Sequence, residues 1–455
     1  MYIVGMIGRQ TYMFDVTSVW RHFKRFKVTN NIKDYHQKKK KEHEENFQSW
    51  SEFRARGFRK PEYMTSWIIE GYGPPDEVLK QETINLPEHK VETAVDARRS
   101  YLYQAVRQPN DVLIKVHAAS LNPIDIRMCE GYGRNLFNLQ RNALFHAWKV
   151  IPSSRPVTQD AEFPLVLGRD FSGTIVDVGT GVVDLQPGDD VYGAASLFKN
   201  GTLSEYVCVD LANVVQKPLT LSHIEAASIP FVGLTVVSAL RRVVKTREKS
   251  ARALVIGGSG GIGTFAIQYL RAHGFSVTTT CSTSGMKLCS SLGAECIDYK
   301  LHNVDSEVTQ LEKFGVVFDA VGAVSSEWAE RCLLRGGVYT TLKSPFVVNT
   351  DKYGAVFGVT ASLLEFARQR FMHQKITTEW GFFKPDRHQL LEIARMIDGG
   401  IIKPAIDANN IFSFEDVPKA FKSLAAGHTK GKIVINVSNL PEAVRKPPVD
   451  KIIHL

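Results

Sequence analysis

The chain has 455 residues, 44% of them hydrophobic and 23% charged, with a formal net charge of +9. This is enough chain for two or three domains of ordinary globular composition, and no apolar run reaches the roughly 18 residues that mark a membrane-spanning helix. The charge does not point to a nucleic-acid binder, because residues 1–62 carry 14 Lys/Arg against 7 Asp/Glu and so hold +7 of the +9, which leaves the rest of the chain nearly neutral.

The first 33 residues hold six basic residues and one acid, Asp15, interleaved with Val19, Trp20, Phe23 and Phe26. That pattern is expected of a mitochondrial presequence; a solvated tether or an extension without function is the alternative. From Thr65, TSWIIEGYGPPDEVLK predicts a strand, a Gly-Pro turn and a second strand. Residues 88–110 are polar and read as a surface insertion. Alternation predicts a strand over Leu113 to His117, closed by a turn at Asn122-Pro123. Residues 134–162 are expected to form either a short helical lid over a ligand cleft or an ordinary packed excursion. GRDFSGTIVDVGTGVVDLQPGDDVYG then sets β-branched residues between closely spaced Gly/Pro turns, as in a small, partly open β-barrel.

Residues 252–298 carry the sharpest signal. An apolar strand runs into Gly258-x-Gly260-x-x-Gly263, and a helix follows with Ile262, Phe265, Ala266, Tyr269 and Leu270 on one face and Gly274 at its end. Glycines let a backbone approach a pyrophosphate, and a helix N-terminus offers it N–H groups and a positive dipole end. Strand, loop, helix and second strand together predict a dinucleotide site. Short apolar strands at Cys296–Tyr299, Val316–Asp319 and Gly337–Leu342 continue the alternation and imply a parallel sheet covered by helices. Helices are expected over 385–398 and Asp416–Leu424, and KIVINV (432–437) as a closing strand. The six cysteines, at 129, 208, 281, 289, 296 and 332, form no CxxC pair. They read as buried small hydrophobes in a reducing compartment, with Cys281 as the alternative of a reactive thiol.

SLNPIDIRMCEGYG, FPLVLGRDFSGTIVDVGTGV, QPGDDVYG, GTLSEYVCV, AASIPFVGLTVVSAL, GGSGGIGTFAIQ and GKIVINV together resemble the medium-chain dehydrogenase/reductases of the quinone oxidoreductase type, over roughly 65–437. The resemblance implies an α/β chain: a GroES-like, partly open β-barrel catalytic domain interrupted by a Rossmann doubly wound parallel-sheet domain. The expected division is a basic arm at 1–62, catalytic domain at 63–221, Rossmann domain at 222–366, a return to the catalytic domain at 367–437 and a tail at 438–455. The resemblance also implies NADPH-dependent reduction of quinones or activated carbonyls, a link to mitochondrial ubiquinone metabolism, and dimers, which are common in the family. The alternative is a binding protein whose NADPH occupancy regulates a protein partner at a membrane.

The zinc enzymes of this architecture carry Cys where this chain has Asn122 and a His-Glu pair where it has Arg169-Asp170. Neither ligand is present, so no catalytic zinc is expected; hydride is expected to pass directly to a quinone or enone, with no metal and no flavin. The second strand of the dinucleotide unit ends in Thr280-Cys281-Ser282, with no carboxylate for ribose hydroxyls. NADPH is therefore expected over NADH, with Ser282 on the 2′-phosphate and Lys287 as added charge; relatives often carry Lys where this chain has Gly285. Ser259, Gly260, Gly261, Ile262 and Gly263 are expected to form the phosphate loop. Tyr299 is expected near the adenosine, and Gly322 and Leu342 near the nicotinamide. Asn122, Tyr132 and Thr235 are the catalytic candidates. Asp125 is expected to cap a helix, and Arg169-Asp170 to form a structural ion pair.

Overall fold

The computed structural model describes residues 61, 63–86, 109–137, 163–246, 251–427 and 429–438. The basic arm apart from residue 61, the 88–108 part of the polar insertion, residues 138–162 and the tail from 439 lie outside the described residues.

Eight strands precede the dinucleotide unit: β1 (Tyr63–Ile69), β2 (Lys80–Asn85), β3 (Asp111–Leu121), β4 (Leu165–Val166), β5 (Asp170–Val178), β6 (Asp190–Ala194), β7 (Tyr206–Asp210) and β8 (Val214–Gln216). β2, β1 and β4 form a small antiparallel sheet. The long β3 pairs antiparallel with both β5 and β7. It is buried along nearly its whole length, and Val112, Leu113, Ile114, Leu121, Phe171 and Val207 belong to one buried apolar cluster. The segment read as a second strand, PPDEVLK, differs: Pro75–Val78 is one helical turn. Proline at its first position and acids in its first turn favour that conformation, and the strand begins only at Lys80.

β9 (Arg252–Ile256), β10 (Ser276–Cys281), β11 (Glu295–Asp298), β12 (Phe314–Asp319), β13 (Leu333–Thr341) and β14 (Thr377–Trp380) form one parallel sheet in the order β11-β10-β9-β12-β13-β14. This is the doubly wound arrangement, with order reversing beside β9. β9 and β12 read as continuous apolar runs because helices cover both faces. The helix Gly261–Ala272 buries Phe265, Ala266, Tyr269 and Leu270 on one side, and Gly274 follows it at φ +87°. β14 pairs with β13, so the parallel sheet runs past residue 366 and the boundary expected there moves towards the C-terminus. The chain regains the barrel sheet with β15 (Ile406–Ser413) and β16 (Lys432–Asn436), and β16 pairs antiparallel with β3.

Candidate active site

Asn122 stands where β3 ends and the helix Pro123–Cys129 begins. It is the helix N-cap, closed by Asp125, whose Oδ2 accepts from Asn122 N at 2.8 Å. Asp125 also accepts from Gly168 N through Oδ1 at 3.0 Å. It is fully buried, and desolvation pushes its pKa up to about 6 while Arg169 opposes the rise.

The expected pairing of Arg169 with Asp170 is a correction. These neighbours lead to opposite sides of the extended chain, so they serve different partners. Arg169 faces Asp125 at 3.9 Å and donates to the carbonyls of Val166, Ser196 and Lys199. Asp170 is 0% exposed and takes a different cation, Lys432, at 3.1 Å. Its Oδ2 also accepts from Ser120 Oγ at 2.7 Å and from Asn122 Nδ2 at 2.9 Å, and its Oδ1 from Phe231 N at the start of the helix Pro230–Thr246.

Lys432 is the residue that sequence reasoning missed. A lysine heading KIVINV reads as an exposed strand start, yet it is 5% exposed. Its Nζ donates to Leu121 O at 2.9 Å, to Asn122 Oδ1 at 2.5 Å and to Asp170 Oδ2. This fixes the Asn122 amide. Its oxygen is committed to an ammonium and one N–H to a carboxylate, so the remaining Nδ2–H is the group it can offer. The set does not suit a zinc ion: an amide, a guanidinium and a carboxylate already held by an ammonium leave no thiolate or imidazole donor.

The same segment reaches the glycine loop. Gly431 N donates to Ser259 O at 2.9 Å, Gly260 and Gly431 form a parallel bridge, and a Cβ on Gly261 would sit 2.7 Å from the Lys432 stem. The loop is closely packed inside: a Cβ on Gly263 would lie 2.2 Å from Gly257 O, and one on Gly258 2.1 Å from Thr279 Oγ1. Outside it is open. Gly260 caps the helix without any side-chain acceptor, so the first-turn N–H groups of Gly261, Ile262 and Gly263 suit a pyrophosphate.

At the end of β10 Tyr299 N donates to Cys281 O at 3.1 Å, which sets Tyr299 beside Ser282. The ammonium of Lys300 lies 5.6 Å from the Tyr299 ring, a nearby positive charge that the sequence reading did not name. Gly322 (φ +75°) and Leu342 sit at neighbouring strand ends. Asp319 shapes that turn by accepting from the N–H groups of Val321, Gly322, Ala323 and Val324, and Leu342 N donates to Asp319 O at 3.3 Å.

The other two catalytic candidates separate. Tyr132 is half-buried, and burial holds its phenol above the ordinary pKa, so it stays protonated at neutral pH. Its turn is clamped by Asp351, which accepts from Gly133 N and Asn135 N. Thr235 is buried at 4% exposure, and its hydroxyl donates to Phe231 O within its own helix at 2.7 Å. Its helix begins at the Asp170 carboxylate that also holds Asn122.

A barrel and a parallel dinucleotide sheet, joined by one strand segment that touches both a glycine loop and a buried Asn–Asp–Lys cluster, define an oxidoreductase of two-domain dehydrogenase build. Residues 108–219 match the family described as Alcohol dehydrogenase GroES-like domain, and residues 292–435 that described as Zinc-binding dehydrogenase. "NAD(P)H oxidoreductase RTN4IP1, mitochondrial" from Mus musculus is 38% identical over 82% of this chain and 89% of its own length. "2-methylene-furan-3-one reductase" from Solanum lycopersicum is 30% identical over 83% and 80%. The quinone oxidoreductase from Coxiella burnetii aligns at TM-score 0.63 and 26% identity over 82% of this chain and 99% of its own. The chain belongs to the medium-chain dehydrogenase/reductase superfamily. Similar relatives from mouse, zebrafish and nematode are mitochondrial proteins, in agreement with the placement expected from the basic arm.

Proposed function

We propose that the chain is an NADPH-dependent reductase that delivers hydride to a quinone or an enone without a metal ion, in mitochondrial ubiquinone metabolism. The observation that carries this reading is the Gly431–Lys432 segment, which holds the glycine loop with one residue and the Asn122 amide with the next. When bound, NADPH supplies the hydride. The N–H groups of Gly261, Ile262 and Gly263 hold its pyrophosphate, with Ser259 in the same loop; Ser282, Tyr299 and Lys300 surround the adenosine phosphate, and Gly322 and Leu342 border the nicotinamide. Asn122 donates its free Nδ2–H to the acceptor's carbonyl oxygen as negative charge builds there. Tyr132 is protonated and supplies a proton; water serves equally once a quinone is reduced. The quinone and enone classes are supported by the Coxiella and tomato relatives, and the mitochondrial setting by the relatives from mouse, zebrafish and nematode.

The test is NADPH oxidation by purified full-length protein with a quinone, an enone and a saturated ketone. Turnover is expected with a quinone or enone and not with the saturated ketone. Binding of NADPH with no turnover on any acceptor would instead support a regulatory protein and overturn the reductase reading.

A further inference from the structure

We infer that Cys281, Cys289 and Cys296, with Met286, form a soft-metal site for Cu(I) beneath the adenosine turn. The three Sγ atoms all lie within 4.8 Å of one another, and Met286 Sδ lies 3.6 Å from Cys281 Sγ. Among the described residues this is the one group of three or more Cys, His, Asp or Glu placed to hold a metal ion.

The register explains the convergence. Thr279 pairs with Cys296 across β10 and β11. Alternation puts Thr279 and Cys281 on one face of β10, so Cys281 and Cys296 share that face as diagonal neighbours. The helix Met286–Ser291 covers it, with Met286 and Cys289 three residues apart and hence on one side. One sheet face and one helix face thus contribute four sulfurs. Metal–thiolate bonds of about 2.3 Å hold ligand sulfurs about 4 Å apart, so small side-chain rotations close the site. A donor set of thiols and a thioether, without nitrogen or carboxylate, selects Cu(I) over harder cations. Cys296 is half-buried and gives the ion entry, while Cys281 and Cys289 are fully buried.

Burial raises the Cys281 thiol to about 11 and the Cys289 thiol further. Each thiol that ligates loses its proton to solvent, so affinity should rise with pH. The site braces a turn of the proposed coenzyme pocket, because Gly285 packs against both Ser259 and Cys281; its metal binding does not depend on that pocket's function.

The experiment is an anaerobic titration of reduced full-length protein with Cu(I) against a competing chelator, followed by thiolate-to-metal charge-transfer absorption. One equivalent is expected to bind, and bound Cu(I) should protect Cys296 from alkylation in the wild-type protein. Cys289→Ser and Cys296→Ser should each weaken binding at least about tenfold, while Cys332→Ser, another buried cysteine outside the group, should not. Failure to compete with the chelator, equal affinity in Cys296→Ser, tighter binding of Zn(II) than Cu(I), or two of these thiols found joined as a disulfide that refuses copper would each overturn the assignment. The alkylation arm needs no variant, so a substitution that fails to fold does not rescue the idea.

Discussion

Asn122 and Lys432 divide one task between them. An asparagine amide can be turned either way, and Asn-Pro alone says only that a turn is present. The ammonium of Lys432 at Asn122 Oδ1 removes that freedom and leaves an N–H as the outward group. Asn122→Ala is therefore expected to lower kcat about a hundredfold, as removal of an oxyanion donor does, with NADPH affinity unchanged; an equal loss in NADPH affinity would place Asn122 in coenzyme binding instead. Lys432→Met leaves Asp170 buried without its cation and should cost about 3–5 kcal/mol in urea unfolding. Lys432→Met/Asp170→Asn should recover most of that loss, because no uncompensated charge remains. A double variant as unstable as the single one would mean that packing of the lysine stem against Gly261, not charge, holds the seam. The turn at Asn122-Pro123 was legible because its motif is local. Lys432 was not, since its partners lie 310 and 262 residues away and nothing in KIVINV records them.

Secondary elements were legible where the pattern was periodic and the partner local. The glycine loop, its helix and the alternating strands follow from spacing alone. The structure adds why the glycines are fixed: Gly263 has no room for a Cβ against Gly257 O. Gly263→Ala should abolish NADPH binding in calorimetry by pushing the loop off the helix terminus, and wild-type affinity in that variant would refute the close-packing account. The sheet's sixth strand, β14, escaped the reading because Thr377–Trp380 is half-buried at an edge and has no apolar run. The sulfur group escaped for a related reason, since cross-strand register is invisible in C-x7-C-x6-C. The short helix His223–Ala227 brings a pH effect. His223 Nδ1 bonds Ser172 Oγ at 2.8 Å, and its ring lies 4.5 Å from that of His117. Burial lowers both pKa values, that of His223 to about 4, against the opposing pull of Asp190. The folded state thus binds fewer protons than the unfolded one between pH 6.5 and 4, so stability is full above 6.5 and falls as acid is added. The loss should reach about 2 kcal/mol once the ring's partial water access is allowed for. Urea midpoints across that window should show the slope in wild type and a smaller one in His223→Gln; an unchanged slope assigns it to other groups.

At the scale of the whole molecule, the barrel and the parallel sheet share an apolar cluster that joins Tyr192, Ala194 and Val215 to Val236, Leu240 and Leu390, and polar contacts add to it. Besides Gly431 on Ser259, Gln268 exchanges two bonds with Lys403, and Tyr192 donates to Leu390 O at 2.8 Å. The coenzyme proposed for the glycine loop would bind beside this seam, and by mass action would stabilise the folded form by about 2.7 kcal/mol at a hundred times its Kd. The adenosine end decides which coenzyme does so. β10 ends in Cys281-Ser282 with no carboxylate on that strand, and Lys300 adds a cation beside Tyr299. On the proposed reading a 2′-phosphate would gain from that charge, while a ribose hydroxyl would lack an acidic partner on that strand. At equal concentration NADPH should raise the melting temperature more than NADH. Lys300→Ala should shrink the difference, as should added salt if the contact is exposed, and NADH should be unaffected by either change. A larger shift with NADH in the wild-type protein would reverse the coenzyme assignment while leaving the glycine-loop site intact.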